Sequence, residues 1–293
     1  MIGILHFAYG APQSLDDLTD YFSHVLNGKT PPPPMMANII NQFARVGKAD
    51  LIGGVTSRIA SGLQQLLPTT RIYKGYRHTA PFIEDSVQQM LADGVTKIIV
   101  LPINPIFSQS GSGAVHAQVD TIVNGAVPVV HLNDWHLHPA IIALYANRVR
   151  RANNWLPQAA QQKAITFFTA HSQPLDTERN APYIAQMEAM ALAIAEAAAL
   201  PAAQVAYRSA KERAKWLGPD VQEAIQTAVD NGYTGIITCE LLSLAPDVES
   251  FFEIGADCQA LCATLDIPFV QSEFPADSID TVLALKEIIT PHL

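Results

Sequence analysis

Pro81-Phe82-Ile83-Glu84-Asp85 runs on through Gly94-Val95-Thr96-Lys97-Ile98-Ile99, and Pro219-Asp220-Val221-Gln222-Glu223 runs on through Gly232-Tyr233-Thr234-Gly235-Ile236-Ile237. Proline, glycine, threonine and two isoleucines align between the two stretches without a gap. Each predicts a helix opening after proline, a glycine C-cap and a buried strand, all in one register. Amphipathic helices resemble one another by chance, but helix, cap and strand matching together are better explained by duplication. Two similar α/β halves, residues 1–145 and 146–293, are therefore expected to face each other across a ligand cleft between their strand ends. The last helix is free to pack on the first half.

On either side of these stretches short apolar strands alternate with helices, which implies parallel sheets with right-handed crossovers. In the first half the expected strands are Ile2 to Phe7, Arg71 to Tyr76, Lys97 to Pro102 and Val127 to Leu132. Its expected helices begin near Ser14, Met36, Ser57, Pro81 and Gly113, with Pro139 to Asn153 crossing the boundary. Pro31 to Pro34 reads as a stiff extended connector, and Val46 to Val55 as a glycine-bearing loop. In the second half strands are expected at Ala164 to Phe168, Gln204 to Tyr207, Thr234 to Cys239 and Pro268 to Gln271. Helices are expected over Pro182 to Ala199, Pro219 to Asn231, Val248 to Leu265 and Asp277 to Ile289.

Composition narrows the function. Of 293 residues 49% are hydrophobic and 15% charged, and 18 basic against 27 acidic residues give a net charge of −9. That balance argues against a nucleic-acid partner and against docking on an anionic membrane. No apolar run is long enough to span a bilayer. Met1 to Leu5 reads as a first strand, not a signal peptide, so a cytoplasmic protein is expected. Cys239, Cys258 and Cys262 cannot all pair and are read as reduced core thiols.

The chemistry falls to loops after strands, where open α/β sheets bind ligands. In the first half these carry Tyr9, His78 and Asn104 to Ser108. In the second, the strand ending Phe167-Phe168-Thr169-Ala170 is followed by His171, and an imidazole there can accept a proton or bind a metal near neutral pH. A further loop, Leu244 to Glu249, opens a helix on which Glu249, Glu253 and Asp257 recur every four residues, placing three carboxylates on one face. Like charges at that spacing repel, so the face suits a cation or proton path, or is simply solvated. A histidine and a carboxylate on neighbouring strand ends can share one divalent metal or pass protons.

In this order and spacing, Ala8-Tyr9-Gly10-Ala11-Pro12, Pro81 to Asp85, His171-Ser172-Gln173-Pro174, Trp216 to Val221 and the acidic run from Glu249 resemble the ferrochelatase family, and most of all its short bacterial coproporphyrin group. The resemblance covers nearly the whole chain. It implies two Rossmann-like domains with parallel four-stranded sheets around a porphyrin cleft. It also implies insertion of Fe(II), as substrate metal, into free-base coproporphyrin III or protoporphyrin IX in haem biosynthesis. His171 matches the family histidine assigned to metal binding or proton abstraction, and Glu249 its carboxylate partner. Glu253 and Asp257 match the acidic ladder, and Tyr9 a tyrosine that faces the porphyrin metal. A monomer is expected. The chain closes on Pro291-His292-Leu293, so no iron–sulfur cluster is expected.

Departures from the family pattern concern the substrate clamp. Pro246-Asp247 stands where the family has Asp-His, and Ile106 replaces a histidine before Phe107-Ser108. The basic cluster near Gly28 is reduced to Leu26-Asn27 with Lys29, Gln42-Phe43 replaces an Arg-Tyr pair, and Asp50-Leu51 replaces Ser-Pro. The expected substrate contacts are therefore Tyr9, Arg45, Ser108 and Asp247, with Arg58 and Arg77 as further sources of positive charge. The rival readings are a haem or porphyrin carrier without chelatase activity, and a chelatase for another tetrapyrrole or metal, such as sirohydrochlorin or cobalt.

Overall fold

A computed structural model describes residues 1–47, 50–210 and 214–293. The first half runs β1 (Ile2–Ala8), α1 (Leu18–Val25), α2 (Pro33–Val46), α3 (Ile52–Leu66), β2 (Thr70–Tyr76), α4 (Ile83–Ala92), β3 (Lys97–Pro102), α5 (Ser112–Val123) and β4 (Val129–His131). The linking helix α6 (Pro139–Trp155) and the short α7 (Gln158–Gln161) lead to β5 (Ala164–His171), α8 (Ala181–Ala198), β6 (Ala203–Arg208), α9 (Val221–Asp230) and β7 (Gly235–Glu240). A continuous helical rod follows: α10 (Val248–Ser250), a π-helical segment (Phe251–Ala256) and α11 (Asp257–Thr264). β8 (Phe269–Gln271) and α12 (Ile279–Ile289) complete the fold.

Both sheets are four-stranded and parallel, with orders β2-β1-β3-β4 and β6-β5-β7-β8. The two orders are the same once the second half is renumbered. The repeat also holds in its hydrogen bonds. Pro81 O accepts from Tyr76 N and Pro219 O accepts from Tyr207 N, each at 2.9 Å. Gly94 and Gly232 stand at φ +73° and +82° just past α4 and α9. Nothing lies near either missing Cβ, so the left-handed backbone is what selects glycine there. Val95 N and Tyr233 N then reach back to Met90 O and Ala228 O, both at 3.1 Å.

Strand alternation divides the core into layers. Ile4, Ile99, Leu101, Phe168 and Ala170 face a central cluster shared by α3, α6, α8 and α12. Leu5, Phe7, Ile98 and Val100 face outward onto α4 and α5, while Ile165 and Phe167 face α9 and α11. The last helix does cross to the first half: a Cβ on Gly62 of α3 would meet Val282 of α12 at 2.9 Å. Arg58 pairs with Asp277 at the same seam. All three cysteines are buried and free. Among the described residues, no helix is long and apolar enough to cross a membrane.

Three local expectations are corrected. Pro33 and Pro34 form the first turn of α2 rather than an extended connector, since the missing N–H costs nothing where no partner exists. The stretch read as a loop to Val55 already belongs to α3 from Ile52, with Asp50 bonding Gly53 N at its start; Lys48 and Ala49 lie outside the described residues. The central strand runs on through Thr169 and Ala170 to His171, because its ladder with β7 reaches Thr169 and its ladder with β6 continues to His171.

Several histidines are buried in the first half. His6, fully buried on β1, and His116 on α5 have pKa values pushed down to about 4, by burial first. Each binds a proton more weakly folded than unfolded. Their contribution to stability is therefore complete above about pH 6.5 and is lost as pH falls toward 4. His6 alone accounts for about 3 kcal/mol of that loss. Melting temperature should fall through this window, and a His6→Gln/His116→Gln variant should show a shallower fall. An unchanged slope in scanning calorimetry would assign acid sensitivity to other groups.

Candidate functional site

The parallel register of β5 and β6 runs to their last residues, so His171 stands beside Arg208; β5 and β7 pair as far as Thr169 and Glu240. Three ionisable side chains thus arrive at one sheet edge from three neighbouring strands. His171 Nδ1 lies 2.6 Å from Ser172 O. A carbonyl only accepts, so Nδ1 carries the proton and the neutral ring keeps its lone pair on Nε2. Nε2 lies 3.6 Å from Glu249 Oε2. Tyr183 Oη donates to His171 O at 2.8 Å, fixing the backbone.

Glu249 sits in the first turn of α10. Asp247 caps that helix: its Oδ1 accepts from Ser250 N at 2.6 Å, and Ser250 Oγ reciprocates to Asp247 N at 3.0 Å. This is a capping box that fixes the entry angle of the rod. The π-helical bonding that follows puts extra residues in each turn, so the four-residue spacing does not stack the three carboxylates together. Glu249 turns to the cleft, Glu253 accepts from Ser209 N and Oγ, and Asp257 is exposed. Among the described residues, no group of three or more His, Cys, Asp or Glu side chains converges as a metal cage.

Two groups that the sequence reading passed over organise the site. Arg208 is buried, with its side chain 3% exposed. Its Nη1 donates to Glu249 Oε2 at 2.8 Å, Nη2 donates to Asp247 Oδ2 at 2.7 Å, and Nε faces Glu240 Oε1 at 3.6 Å. Glu240 is equally buried and accepts from Thr169 Oγ1 at 2.9 Å. Burial pushes its carboxyl up to about 7 despite the guanidinium. Burial alone would lower the Arg208 pKa, but Asp247, Glu240, Glu249 and Glu253 outweigh it and raise it. Arg208 thus divides its contacts among Glu240, Asp247 and Glu249, and it does not offset the burial of Glu240. The signal for both residues was available: each ends a parallel strand, the criterion that picked out His171.

The opposite wall comes from β1 and β2. Tyr9 lies against His78, ring centroids 4.3 Å apart, and His78 Nδ1 meets His24 Nδ1 at 2.9 Å. Burial raises the Tyr9 pKa, with Arg77 opposing and Glu249 adding to the rise, so the phenol is neutral at pH 7. Leu18, Ile39 and Phe43 of α1 and α2 pack on Val248 and Phe252, joining the two walls at one end.

The remaining expected contacts are placed otherwise. Asp247 has its oxygens on Arg208 and Ser250, so the cap and the ion pair use the carboxylate expected to meet substrate. Ser108 is buried and its Oγ accepts from Gly111 N at 3.0 Å, holding the loop before α5. Arg45 stacks over Phe252 at 4.6 Å from the ring centroid. Arg58 is committed to Asp277. Arg77 donates to Ser110 O beside Tyr9. Two grooves of 240 and 520 Å³, lined by Arg148, Arg151 and Glu273, lie between α6 and the chain after β8, away from His171.

Comparison with known proteins identifies relatives of the whole chain. The family model described as Ferrochelatase matches residues 1–293. A coproporphyrin III ferrochelatase 2 of Bacillus cereus is 26% identical over 300 residues, covering 99% of this chain and 93% of the relative. The coproporphyrin III ferrochelatase of Bacillus subtilis is 25% identical over 305 residues, covering 100% and 98%. Among solved structures, SirB from Bacillus subtilis with Fe3+ superposes with a TM-score of 0.65 at 10% identity, covering 99% of this chain and 94% of that one. CbiX, described as the terminal enzyme of sirohaem biosynthesis in denitrifying bacteria, gives 0.55 at 12% identity, covering 100% and 99%. At such identities these structures speak for the fold alone.

The two jobs of Asp247 can be separated. Asp247→Asn keeps a capping oxygen but loses the charge facing Arg208, whereas Asp247→Ala loses both. Both should lower stability, the alanine variant by about 1 kcal/mol more. Equal losses in urea unfolding would show that the cap contributes nothing.

Proposed function

The chain belongs to the ferrochelatase family, and we propose that it inserts Fe(II) into a free-base porphyrin, with coproporphyrin III the substrate suggested by its curated relatives. The observation that carries the reading is the pair His171 and Glu249: an imidazole with its lone pair on Nε2, 3.6 Å from a carboxylate oxygen at the cleft.

Insertion replaces two pyrrole N–H bonds with metal–nitrogen bonds and releases two protons. The chain must therefore present a base to the macrocycle and a path for cations in and protons out. Nε2 of His171 is the base, because Ser172 O holds the only proton of the neutral ring on Nδ1. Once protonated, the imidazolium is stabilised by the Glu249 carboxylate, and Glu249, with a half-exposed side chain, passes the proton to solvent. Nε2 and the Glu249 carboxylate also receive the arriving Fe(II), the substrate metal, before it passes to the macrocycle; the freed Nε2 lone pair then takes the two pyrrole protons in turn, each relayed through Glu249. The neutral phenol of Tyr9 lines the facing wall. Among the charges expected to hold the substrate's acidic groups, Arg45 and Arg77 remain near the cleft walls, while Arg58 is engaged at the α3–α12 seam.

Anaerobic turnover with Fe(II) and free-base coproporphyrin III, protoporphyrin IX and sirohydrochlorin tests the assignment. Metallation of a porphyrin is expected; metallation of sirohydrochlorin alone, or haem binding without turnover, would overturn it. On the same assay His171→Ala should lose at least about 100-fold in kcat while keeping its melting temperature. Glu249→Gln should lose much of the activity, and the double variant little more than His171→Ala, because groups acting as one unit are non-additive. Independent multiplication of the two losses would place Glu249 outside the shared site.

A further inference from the structure

We infer that Arg208 is a resident cation that occupies the carboxylate pole of the site in place of the incoming metal, and that it keeps metal binding weak enough for onward delivery. The inference rests on reading His171 and Glu249 as the metal's point of arrival, and it assigns that point a regulator.

The geometry is that of an exchange. Each of the three guanidinium nitrogens faces a different carboxylate: Nη1 faces Glu249, Nη2 Asp247 and Nε Glu240. Two of these partners are fixed. Glu240 is almost completely buried and held by Thr169, and Asp247 is pinned through its other oxygen to Ser250 N. Glu249 is the solvent-accessible one, with a side chain 51% exposed and no further hydrogen-bond partner holding it among the described residues. The oxygen that Arg208 holds, Oε2, is also the oxygen that faces His171 Nε2. A divalent cation reaching His171 therefore competes with Arg208 for one atom. When Glu249 leaves, Arg208 keeps Asp247 and Glu240, so no buried charge is left alone. Glu253 does not take part in this exchange, since Ser209 holds both its oxygens.

Acidic groups outnumber the one guanidinium here, and Glu249 is the carboxylate that faces both Arg208 and His171, so its charge is the one an arriving cation would share. Glu240 and Asp247 already compensate the buried guanidinium; the third contact reaches a half-exposed glutamate that also faces the His171 base. A fixed positive charge beside the metal position raises the energy of the bound metal. An enzyme that hands its metal on gains nothing from holding it tightly in the ground state. Arg208 is thus a positioning residue, acting through Glu249 rather than on the substrate.

The test measures metal binding separately from turnover. Co(II) is titrated calorimetrically into the full chain without porphyrin, for the wild type, Arg208→Gln and Arg208→Gln/Glu249→Gln. Arg208→Gln should bind Co(II) about tenfold or more tightly, and the second substitution should remove the gain. In Fe(II) turnover Arg208→Gln should lower both the KM for metal and kcat, as expected when metal is retained. If Arg208→Gln does not fold, Arg208→Gln/Asp247→Asn, which removes both charges, is compared with Asp247→Asn alone and should again bind more tightly. Folded variants that bind Co(II) no better than their references would overturn the role of Arg208. Failure of the wild type to metallate any porphyrin would instead overturn the chelatase reading, leaving the binding comparison to stand on its own.

Discussion

One buried guanidinium holds this site together. Arg208 stands at the end of β6 with its side chain 3% exposed, and it meets carboxylates from the end of β7 and from both sides of the α10 cap. Removing one partner of such a buried pair typically costs about 3–5 kcal/mol, because the other charge is left uncompensated. That constraint fixes where α10 begins, and so where Glu249 points. The lone pair of His171 is useful only because Glu249 is brought to the same edge. The scaffold of two parallel sheets can be built without Arg208; the arrangement of the cleft edge depends on it.

Much of the scaffold was legible in the chain because its signals are local. The paired Pro, Gly, Thr and Ile positions mark two copies of one unit, and left-handed backbone at Gly94 and Gly232 explains both glycines without reference to the rest of the molecule. Where local signals conflict, the reading slipped. A proline run reads as extended, yet Pro33 and Pro34 open α2; two adjacent glycines read as loop, yet Gly53 and Gly54 lie in the first turn of α3. In both cases tertiary packing settles a question that propensity leaves even: Ile39 and Phe43 anchor α2, and Ile52 and Val55 anchor α3.

The site was legible in part. Position at the end of an expected strand singled out His171, and its Nε2 lies 3.6 Å from Glu249 Oε2. The rest of the acidic ladder was read with α-helical periodicity, and the π-helical turns from Phe251 to Ala256 spoil that spacing, leaving Glu253 on Ser209 and Asp257 in solvent. Asp247 and Ser108 look like free polar groups in a loop, but their oxygens serve backbone N–H groups that the sequence does not show to be in need of partners. Arg208 and Glu240 were missed for a related reason. A charge at the end of a hydrophobic strand is usually a solvated terminus, and the sequence does not show that these two face each other and the Asp247 and Glu249 carboxylates.

An arriving metal must take Glu249 from Arg208 to reach His171. Anomalous diffraction from crystals soaked in Co(II) measures this directly. A peak bonded to both His171 Nε2 and a Glu249 oxygen, with Arg208 still on Asp247 but no longer on Glu249, is the predicted result. Cobalt bound elsewhere, with the Arg208–Glu249 bond intact in fully occupied crystals, would contradict it.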